Sequence, residues 1–322
     1  MTVLSGGLRV ILGTGGTIAG KSGRPGDNVG YVAGQVTVED LLRAVPALKD
    51  VPLESEQVDQ IDSKDMHFGL WQRLLSRLAH HLDRPEVTGV VITHGTDTLE
   101  ETAFFVQQVL RPVKPVVFAC AMRPATALVP DGPQNLLDAV AVAGCPQARG
   151  VLAVCAGQVH AADHVTKVHS YRTDAFDSGD AGPRACVEEG QVRWFAACPE
   201  PAAPDNGLRQ RVMRAQALPR VELVTSHAGA DGGIVRALLR AGEVDPSLRP
   251  QGLVVAATGN GTLHRDLAQA LAEAAGQGIQ VVRATRCARG RVIPDAANPF
   301  PDSAGLSPVK ARLALSLSLL AS

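Results

Sequence analysis

The sequence predicts an α/β protein with a larger amino-terminal domain, whose sheet is mostly parallel with an edge hairpin, and a smaller carboxyl-terminal domain with a parallel sheet. The chain has 322 residues, whereas an average domain has about 150. Short apolar runs alternate with segments of helical period, which is typical of parallel sheets covered by helices on both faces. A proline-rich segment separates the two halves.

The predicted strands are apolar runs at residues 8–12, 87–93, 115–119, 150–155, 220–225, 252–257 and 280–284. The predicted helices lie between them, at residues 38–45, 66–82, 99–110, 134–143, 233–241, 263–275 and 309–320. We expect Asp65 to cap the second helix, while Pro133 and Pro308 suit first helical turns.

Residues 158–174 interrupt this alternation. The segment is polar, and the spacing of Val159, Val165 and Val168 predicts an antiparallel hairpin at the edge of the first sheet. The clearest linker follows Cys198, because the sequence there is rich in proline and lacks a strong period. We therefore predict domains at residues 1–198 and 219–322, joined by a linker at residues 199–218.

Composition limits the classes of function. Hydrophobic residues make up 45% of the chain and charged residues 20%, as in ordinary soluble globular proteins. The net charge of −1 gives no electrostatic footprint for nucleic acid or an anionic membrane. No apolar run approaches the ~20 residues that span a bilayer, and the amino terminus does not read as a signal peptide. We expect a cytoplasmic protein without nucleic-acid or membrane partners.

No metal or other cofactor is expected. The six cysteines are scattered without a C-x-x-C pair, which suits buried thiols in a reducing compartment better than a zinc site or a disulfide framework. His160 and His164 are four residues apart, but this spacing forms a metal site only on a helix. Their segment does not read as a helix.

The first motif that indicates chemistry is ILGTGGTIAG, residues 11–20, at the end of the first strand. Its glycines allow a ligand to approach the backbone, and parallel sheets bind ligands at the carboxyl ends of their strands. A dinucleotide-binding turn, and with it a nucleotide-dependent oxidoreductase, is disfavoured because Ile18 stands where the third glycine belongs. Thr17 is therefore either an idle residue of a glycine-rich turn or a reactive hydroxyl.

The second motif is VVITHGTDTLEETA, residues 90–103. It places Thr96 and Asp97 at the end of another strand, beside the first motif. A hydroxyl next to a carboxylate could orient water or bind a substrate ammonium, or the two residues could simply cap the following helix. Lys167 is either a solvated side chain or, if it folds inward towards Thr96 and Asp97, a proton acceptor.

Five motifs occur in order: GTGGTIAG, SKDM (residues 63–66), THGTDTLEETA, AMRPATALVPDGPQNL (residues 121–136) and GNGTL (residues 259–263). Together they resemble the bacterial L-asparaginase family, especially the type II-like branch that includes glutaminase-asparaginases. The resemblance covers essentially the whole chain. It implies a cofactor-independent amidohydrolase that converts L-asparagine and water to L-aspartate and ammonia through a threonine nucleophile.

The resemblance also implies the catalytic residues. Thr17 corresponds to the nucleophile, and Tyr31 to the tyrosine that hydrogen-bonds it. Thr96 and Lys167 correspond to a second catalytic pair, and the sequence leaves open whether Tyr31 or this pair removes the proton of Thr17. Asp97 completes that group and binds the α-amino end of the substrate.

The remaining correspondences concern substrate binding. Ser63 matches the residue that binds the α-carboxylate. Independently of the resemblance, backbone N–H groups of the glycine turns, with those of Gly95 and Thr96, are expected to hold the oxyanion. Ala121 matches a residue whose backbone lies against the side-chain amide. Asn260 matches an asparagine that serves the site of a neighbouring subunit, so a homodimer or homotetramer with shared sites is implied.

Two positions depart from the family. Lys64 stands where the family has glutamine, so it either contacts the substrate or points to solvent. Ala297 or Asn298 stands where the family contributes a glutamate across the interface. Both lost groups would face the α-ammonium end of the substrate, so the sequence determines the substrate less closely than the reaction class. We expect asparagine to be preferred over glutamine. The alternatives are shifted ω-amide specificity (succinamate included) or a non-catalytic amino-acid-binding protein.

Overall fold

The computed structural model describes residues 6–24, 26–198, 200 and 202–321. It divides into two compact units, Met1–Asp205 and Asn206–Ser322. Both are α/β units, and the predicted fold class is confirmed. Pro199 and Pro201 of the predicted linker lie outside the described residues.

The helices are α1 (Val38–Arg43), α2 (Phe68–Leu82), α3 (Leu99–Leu110), α4 (Gly132–Ala143), α5 (Asn206–Arg214), α6 (Gly233–Val244), α7 (Arg265–Gly276) and α8 (Pro308–Ala321). The strands of the first unit are β1 (Leu8–Gly15), β2 (Lys21–Ser22), β3 (Tyr31–Val32), β4 (Leu53–Ile61), β5 (Val87–Thr93), β6 (Val116–Ala119), β7 (Val151–Cys155), β8 (Gln158–Ala161), β9 (Thr166–Lys167), β10 (Phe176–Asp177), β11 (Ala185–Glu188) and β12 (Gln191–Trp194). Those of the second are β13 (Val221–Thr225), β14 (Gly252–Ala257) and β15 (Gln280–Thr285).

The large sheet of the first unit has eight strands in the order β12-β11-β8-β7-β6-β5-β1-β4. The strands from β4 to β7 in this order pair in parallel, and β8, β11 and β12 extend the sheet in antiparallel. The central strands β1 and β5 are almost entirely buried, which is why they read as continuous apolar runs.

Strand β4 escaped prediction because it is not apolar. Its sequence, LESEQVDQI, mixes exposed and half-buried positions, as suits a strand at the edge of a sheet with only one neighbour. The helix α5 lies within the segment predicted as a linker, where only Leu208 and Val212 of its residues are buried.

The antiparallel structure predicted after β7 is confirmed: β8 pairs antiparallel with β7 on one side and β11 on the other, and β9 pairs antiparallel with β10 in a separate small sheet. Residues 158–174 thus contribute to two sheets. One local prediction is wrong. Asp65 does not cap α2. It ends a short 3-10 turn, and the His67 ring accepts the hydrogen bond from the Leu70 N–H at 3.4 Å instead.

The helices cover both faces of the large sheet. Val38 of α1 and Val140 of α4 belong to one buried cluster on one face, whereas on the other face Trp71 of α2 stacks on Phe105 of α3 with ring centroids 4.5 Å apart. After β1 the chain continues to α1 on one face of the sheet, whereas after the adjacent β5 it continues to α3 on the opposite face. Such a switch opens a crevice at the carboxyl ends of the two strands.

The second unit has a three-stranded parallel sheet with β14 in the centre. Helices α6 and α7 pack on one face and α8 on the other, and each face has its own buried apolar cluster. Within the described part of the chain, no helix combines the length and apolar character needed to cross a membrane.

Candidate active site

Three loops of the first unit meet where β1, β4 and β5 end. The Gly16 N–H donates a hydrogen bond to the Ile61 carbonyl at 2.8 Å, and Gly16 adopts a φ of 82°. A side chain at Gly16 would collide with the backbone of Gly95, and one at Gly95 would collide with the hydroxyl of Ser63. Glycine is required at both positions because the loops touch backbone to backbone.

Thr17 lies in a short 3-10 turn directly after this contact and is only 6% exposed. Its Oγ1 lies 2.6 Å from the Tyr31 hydroxyl oxygen. Tyr31 belongs to β3, which pairs with β2, and its ring covers Gly20. The structure thus brings together the predicted nucleophile and the predicted tyrosine.

Lys167 folds inward from β9. Its Nζ donates to Thr96 Oγ1 at 2.8 Å and to Asp97 Oδ1 at 2.6 Å. The Lys167 side chain is only 17% exposed, while that of Asp97 is 54% exposed. Neither Thr96 nor Asp97 caps α3, since the residue at that position is Thr98. The arrangement therefore leaves the Asp97 carboxylate within reach of a ligand.

Ser63 ties the β4 loop to the β5 loop. It is buried, its hydroxyl accepts a hydrogen bond from the Asp97 N–H at 3.2 Å, and its carbonyl accepts one from the Thr98 hydroxyl at 2.7 Å. These two bonds fix Ser63 next to the group formed by Thr96, Asp97 and Lys167.

Three backbone N–H groups around this cleft are unpaired. No described residue accepts a hydrogen bond from the N–H of Thr17, Gly95 or Thr96, although all three residues are buried. Buried backbone donors are nearly always paired in folded proteins. Unpaired N–H groups beside the Thr17 hydroxyl are suited to donate hydrogen bonds to an oxyanion that forms during a reaction.

Ala121 lies on the loop after β6 and is fully buried. The Asp131 carboxylate accepts hydrogen bonds from the next two backbone N–H groups, those of Met122 and Arg123, at 2.9 and 3.0 Å. A side chain at Gly132 would contact both Ile18 and Ala121, so this loop borders the turn that carries Thr17.

Lys64 is not brought to the cleft. Its Nζ lies 2.5 Å from Asp62 Oδ2 and 3.5 Å from Asp65 Oδ2, and the side chain is 61% exposed. The hydrogen bond with the Asp62 side chain raises the pKa of Lys64. Of the two predicted alternatives, the structure shows the one in which Lys64 points to solvent.

Asn260 belongs to the second unit, in a turn closed by hydrogen bonds between Thr258 and Thr262. Its Oδ1 accepts a hydrogen bond from the Ile293 N–H at 2.7 Å. Asn298, one of the two residues predicted to stand in place of the family's glutamate, accepts one from the Phe300 N–H at 3.1 Å.

His94, which follows β5, is not among the residues predicted to act in the site. Its side chain is fully buried, and burial lowers its pKa to about 4. A histidine at the end of an otherwise apolar run, directly before the Gly95 turn, was the signal that could have found it.

Among the described residues, no group of three or more His, Cys, Asp or Glu side chains could hold a metal ion. His160 lies on a strand, where its Nδ1 is 2.9 Å from the Ser178 hydroxyl. The site chemistry available here is that of hydroxyls, an amine, a carboxylate and backbone N–H groups.

Proteins similar to this chain over nearly its whole length are known. Residues 10–199 match the family model "Asparaginase, N-terminal", and residues 220–322 match "Glutaminase/Asparaginase C-terminal domain". The chain is 37% identical over 317 residues to L-asparaginase 2 of Escherichia coli, covering 96% of this chain and 88% of that protein. It is 35% identical over 319 residues to the glutaminase-asparaginase of Pseudomonas fluorescens, covering 96% and 85%.

A solved structure is also similar. The crystal structure of a probable cytoplasmic L-asparaginase from Campylobacter jejuni superimposes with a TM-score of 0.87 at 35% sequence identity, covering 97% of this chain and 95% of that one. Because the matches to sequence models, sequences and structure all extend over nearly the full length, the chain belongs to the asparaginase family.

Proposed function

We propose that this protein is an L-asparagine amidohydrolase that releases aspartate and ammonia. The observation that carries the proposal is a pair of buried hydroxyls, each with its own proton-handling partner. Thr17 is hydrogen-bonded to Tyr31, and Thr96 to Lys167. Amide hydrolysis requires a nucleophile, a route for its proton and donors for an oxyanion, and this cleft offers all three.

In the acylation step, Thr17 Oγ1 attacks the carbon of the side-chain amide. A threonine hydroxyl is a weak nucleophile until its proton is removed, and Tyr31 is the group within 2.6 Å. The Thr17 proton passes to the Tyr31 oxygen while Tyr31 gives its own proton to the departing nitrogen. Ammonia leaves, and the β-carbonyl remains as an ester on Thr17.

In the deacylation step, a water held by the Thr96 hydroxyl attacks the ester carbon. The bond from Lys167 Nζ orients this hydroxyl. As the carbon–oxygen bond to Thr17 breaks, the water proton returns to Thr17 Oγ1, and aspartate is released. In both steps the unpaired N–H groups of Thr17, Gly95 and Thr96 hold the oxyanion.

The same loops supply the proposed substrate contacts. Ser63 binds the α-carboxylate, the exposed Asp97 carboxylate binds the α-ammonium, and the backbone of Ala121 lies against the amide. Asn260 of a neighbouring copy completes the site. Lys64 is left out of these contacts because its charge is engaged by Asp62.

We propose that asparagine is preferred over glutamine, with incomplete recognition of the α-ammonium. Asp97 is the carboxylate available there, since Ala297 and Asn298 offer none in place of the family's glutamate. A missing charged contact costs about 1–2 kcal/mol, or roughly tenfold in affinity. Shifted ω-amide specificity is thus the second candidate, and the glutaminase-asparaginase relatives make glutamine its first member to test.

The test is ammonia release from L-asparagine, L-glutamine, their D-isomers and succinamate. We expect the highest kcat/KM on L-asparagine, and comparable turnover of succinamate if ammonium recognition is relaxed. A Thr17→Ala variant that keeps wild-type turnover would overturn the nucleophile assignment. A wild-type protein that binds asparagine without releasing ammonia would indicate a non-catalytic binding protein.

We also propose a homodimer or homotetramer with shared sites, located in the cytoplasm. The proposed role of Asn260 supports sharing, and the free cysteines, of which Cys120, Cys145 and Cys155 are buried, suit a reducing compartment. Light scattering coupled to size exclusion measures the assembly, and an active monomer would contradict shared sites. Cell fractionation measures the compartment.

A further inference from the structure

His94 lies between the end of β5 and the loop that carries Thr96. Its side chain is 0% exposed, and its ring packs edge-on against Phe118 of β6, with centroids 5.6 Å apart and an interplanar angle of 64°. Gly95 and Thr96 follow it in the chain. None of the substrate contacts or proton transfers proposed above uses this ring.

The ring makes one hydrogen bond that fixes its protonation. Nδ1 lies 2.7 Å from the Gly95 carbonyl oxygen, and because a carbonyl only accepts, Nδ1 carries the proton. Nε2 is buried and has no partner in the described part of the chain. Burial lowers the pKa of His94 to about 4, so the ring is neutral at physiological pH.

Packing alone does not account for a histidine at this position. A buried nitrogen without a partner costs free energy, whereas a hydrocarbon ring of similar size carries no such cost. What His94 provides and phenylalanine would not is the Nδ1–H group that holds the Gly95 carbonyl.

That carbonyl and the Thr96 N–H belong to the same peptide group. The described chain contains no cis peptide bond, and in a planar trans peptide the C=O and N–H point in opposite directions. Holding the Gly95 oxygen against His94 therefore turns the Thr96 N–H away from the buried ring. This is one of the three unpaired N–H groups of the cleft.

We propose that His94 is a positioning residue, whose Nδ1–H fixes the Gly95–Thr96 peptide so that the Thr96 N–H donates to the oxyanion. The inference rests on the proposed function, because it assumes that an oxyanion forms at Thr17. A donor held in place before the reaction stabilises the transition state without reorganisation. His94 acts through the peptide and does not touch the substrate.

The test uses two variants that separate the donor from the volume of the ring. His94→Phe fills the space without an N–H, while His94→Asn places an amide N–H close to the position of Nδ1 but leaves a cavity. We expect kcat of His94→Phe to fall roughly 10- to 100-fold with KM changed less than about threefold, because the lost effect is specific to the transition state. His94→Asn should recover about tenfold of this loss although it unfolds at a lower temperature.

In that outcome kcat depends on whether residue 94 has an N–H donor, and Tm depends on whether its side chain fills the space of the ring. A kcat of His94→Phe within about threefold of wild type, or losses of kcat that parallel the losses of Tm in both variants, would overturn the proposal. If His94→Phe does not fold, His94→Ala replaces it, since it differs from His94→Asn in lacking the donor.

Wild type and Thr17→Ala are assayed alongside. An inactive wild type or an active Thr17→Ala contradicts the proposed function itself. An active wild type with an inactive Thr17→Ala and a fully active His94→Phe contradicts the role of His94 alone.

Discussion

Replacing His94 by phenylalanine should make the protein less sensitive to acid. Burial holds the pKa of His94 at about 4 in the folded protein, against about 6.5 in the unfolded chain. Between these two pKa values the unfolded chain binds more protons at His94 than the folded protein does. The contribution of His94 to the free energy of unfolding is therefore fully present above pH 6.5 and is lost as the pH falls towards 4. At about 1.36 kcal/mol per unit, the whole interval amounts to about 3 kcal/mol.

About 2 kcal/mol of this loss falls between about pH 7 and pH 5, because the lower end of the interval lies below pH 5. Urea unfolding at both pH values, followed by tryptophan fluorescence, measures it in wild type and in His94→Phe. Groups shared by both proteins, including the other titrating carboxylates, cancel in the comparison. We expect wild type to lose about 2 kcal/mol more than the variant. A difference under about 0.5 kcal/mol would refute the argument that the ring is neutral because it is buried.

Three further predictions follow from the geometry. Tyr31→Phe should lower kcat on asparagine about 100-fold with little change in Tm, since it removes the group that takes the Thr17 proton; unchanged steady-state turnover would exclude Tyr31 from the relay. Gly16→Ala should destabilise the protein by more than about 1 kcal/mol, because φ is 82° and the new methyl group meets the Gly95 backbone; a Tm equal to that of wild type would contradict the close contact. Burial raises the pKa of Asp138 to about 6, so at about 1.36 kcal/mol per pKa unit Asp138→Asn should stabilise the protein by about 2–3 kcal/mol near pH 7. That gain should decrease as the pH falls from about 6 to about 4 and vanish below it, because the folded and unfolded carboxyls are then both mostly protonated; a gain independent of pH in urea titrations would be inconsistent with it.

The central strands were predictable because burial on both faces demands apolar residues at every position, and β5 and β14 have the predicted bounds. Strand β4 was not, because an edge strand can carry charges such as Glu54 and Glu56, which pair with Arg84 and Arg77. The course of residues 158–174 depends on β11, which lies far along the chain, and local spacing contains no information on that pairing.

The sequence predicted which residues form the candidate site, but it did not predict how their side chains are arranged. The motifs indicated Thr17, Tyr31, Thr96 and Lys167, but the sequence left open whether Lys167 folds inward and where Lys64 points. Lys167 depends on Asp97, a partner 70 residues away in the sequence that only the fold brings close. Lys64 pairs with Asp62 in the short turn after β4, and the motif itself does not indicate that pairing. His94 was missed because its importance depends on its own carbonyl neighbour and on a nitrogen that remains without a partner.

The backbone contact between Gly16 and Gly95 separates the cleft into a part that tolerates substitution and a part that does not. Where two main chains touch, there is no side chain to exchange, so the spacing between the Thr17 turn and the Thr96 loop cannot be adjusted by mutation without moving whole strands. The exposed residue that follows Ser63 is different, because the Lys64 side chain is 61% exposed and its charge is engaged by Asp62, so Lys64 can change at little cost in stability. A search for variants with a new substrate preference should therefore begin at such exposed positions and leave the glycines untouched.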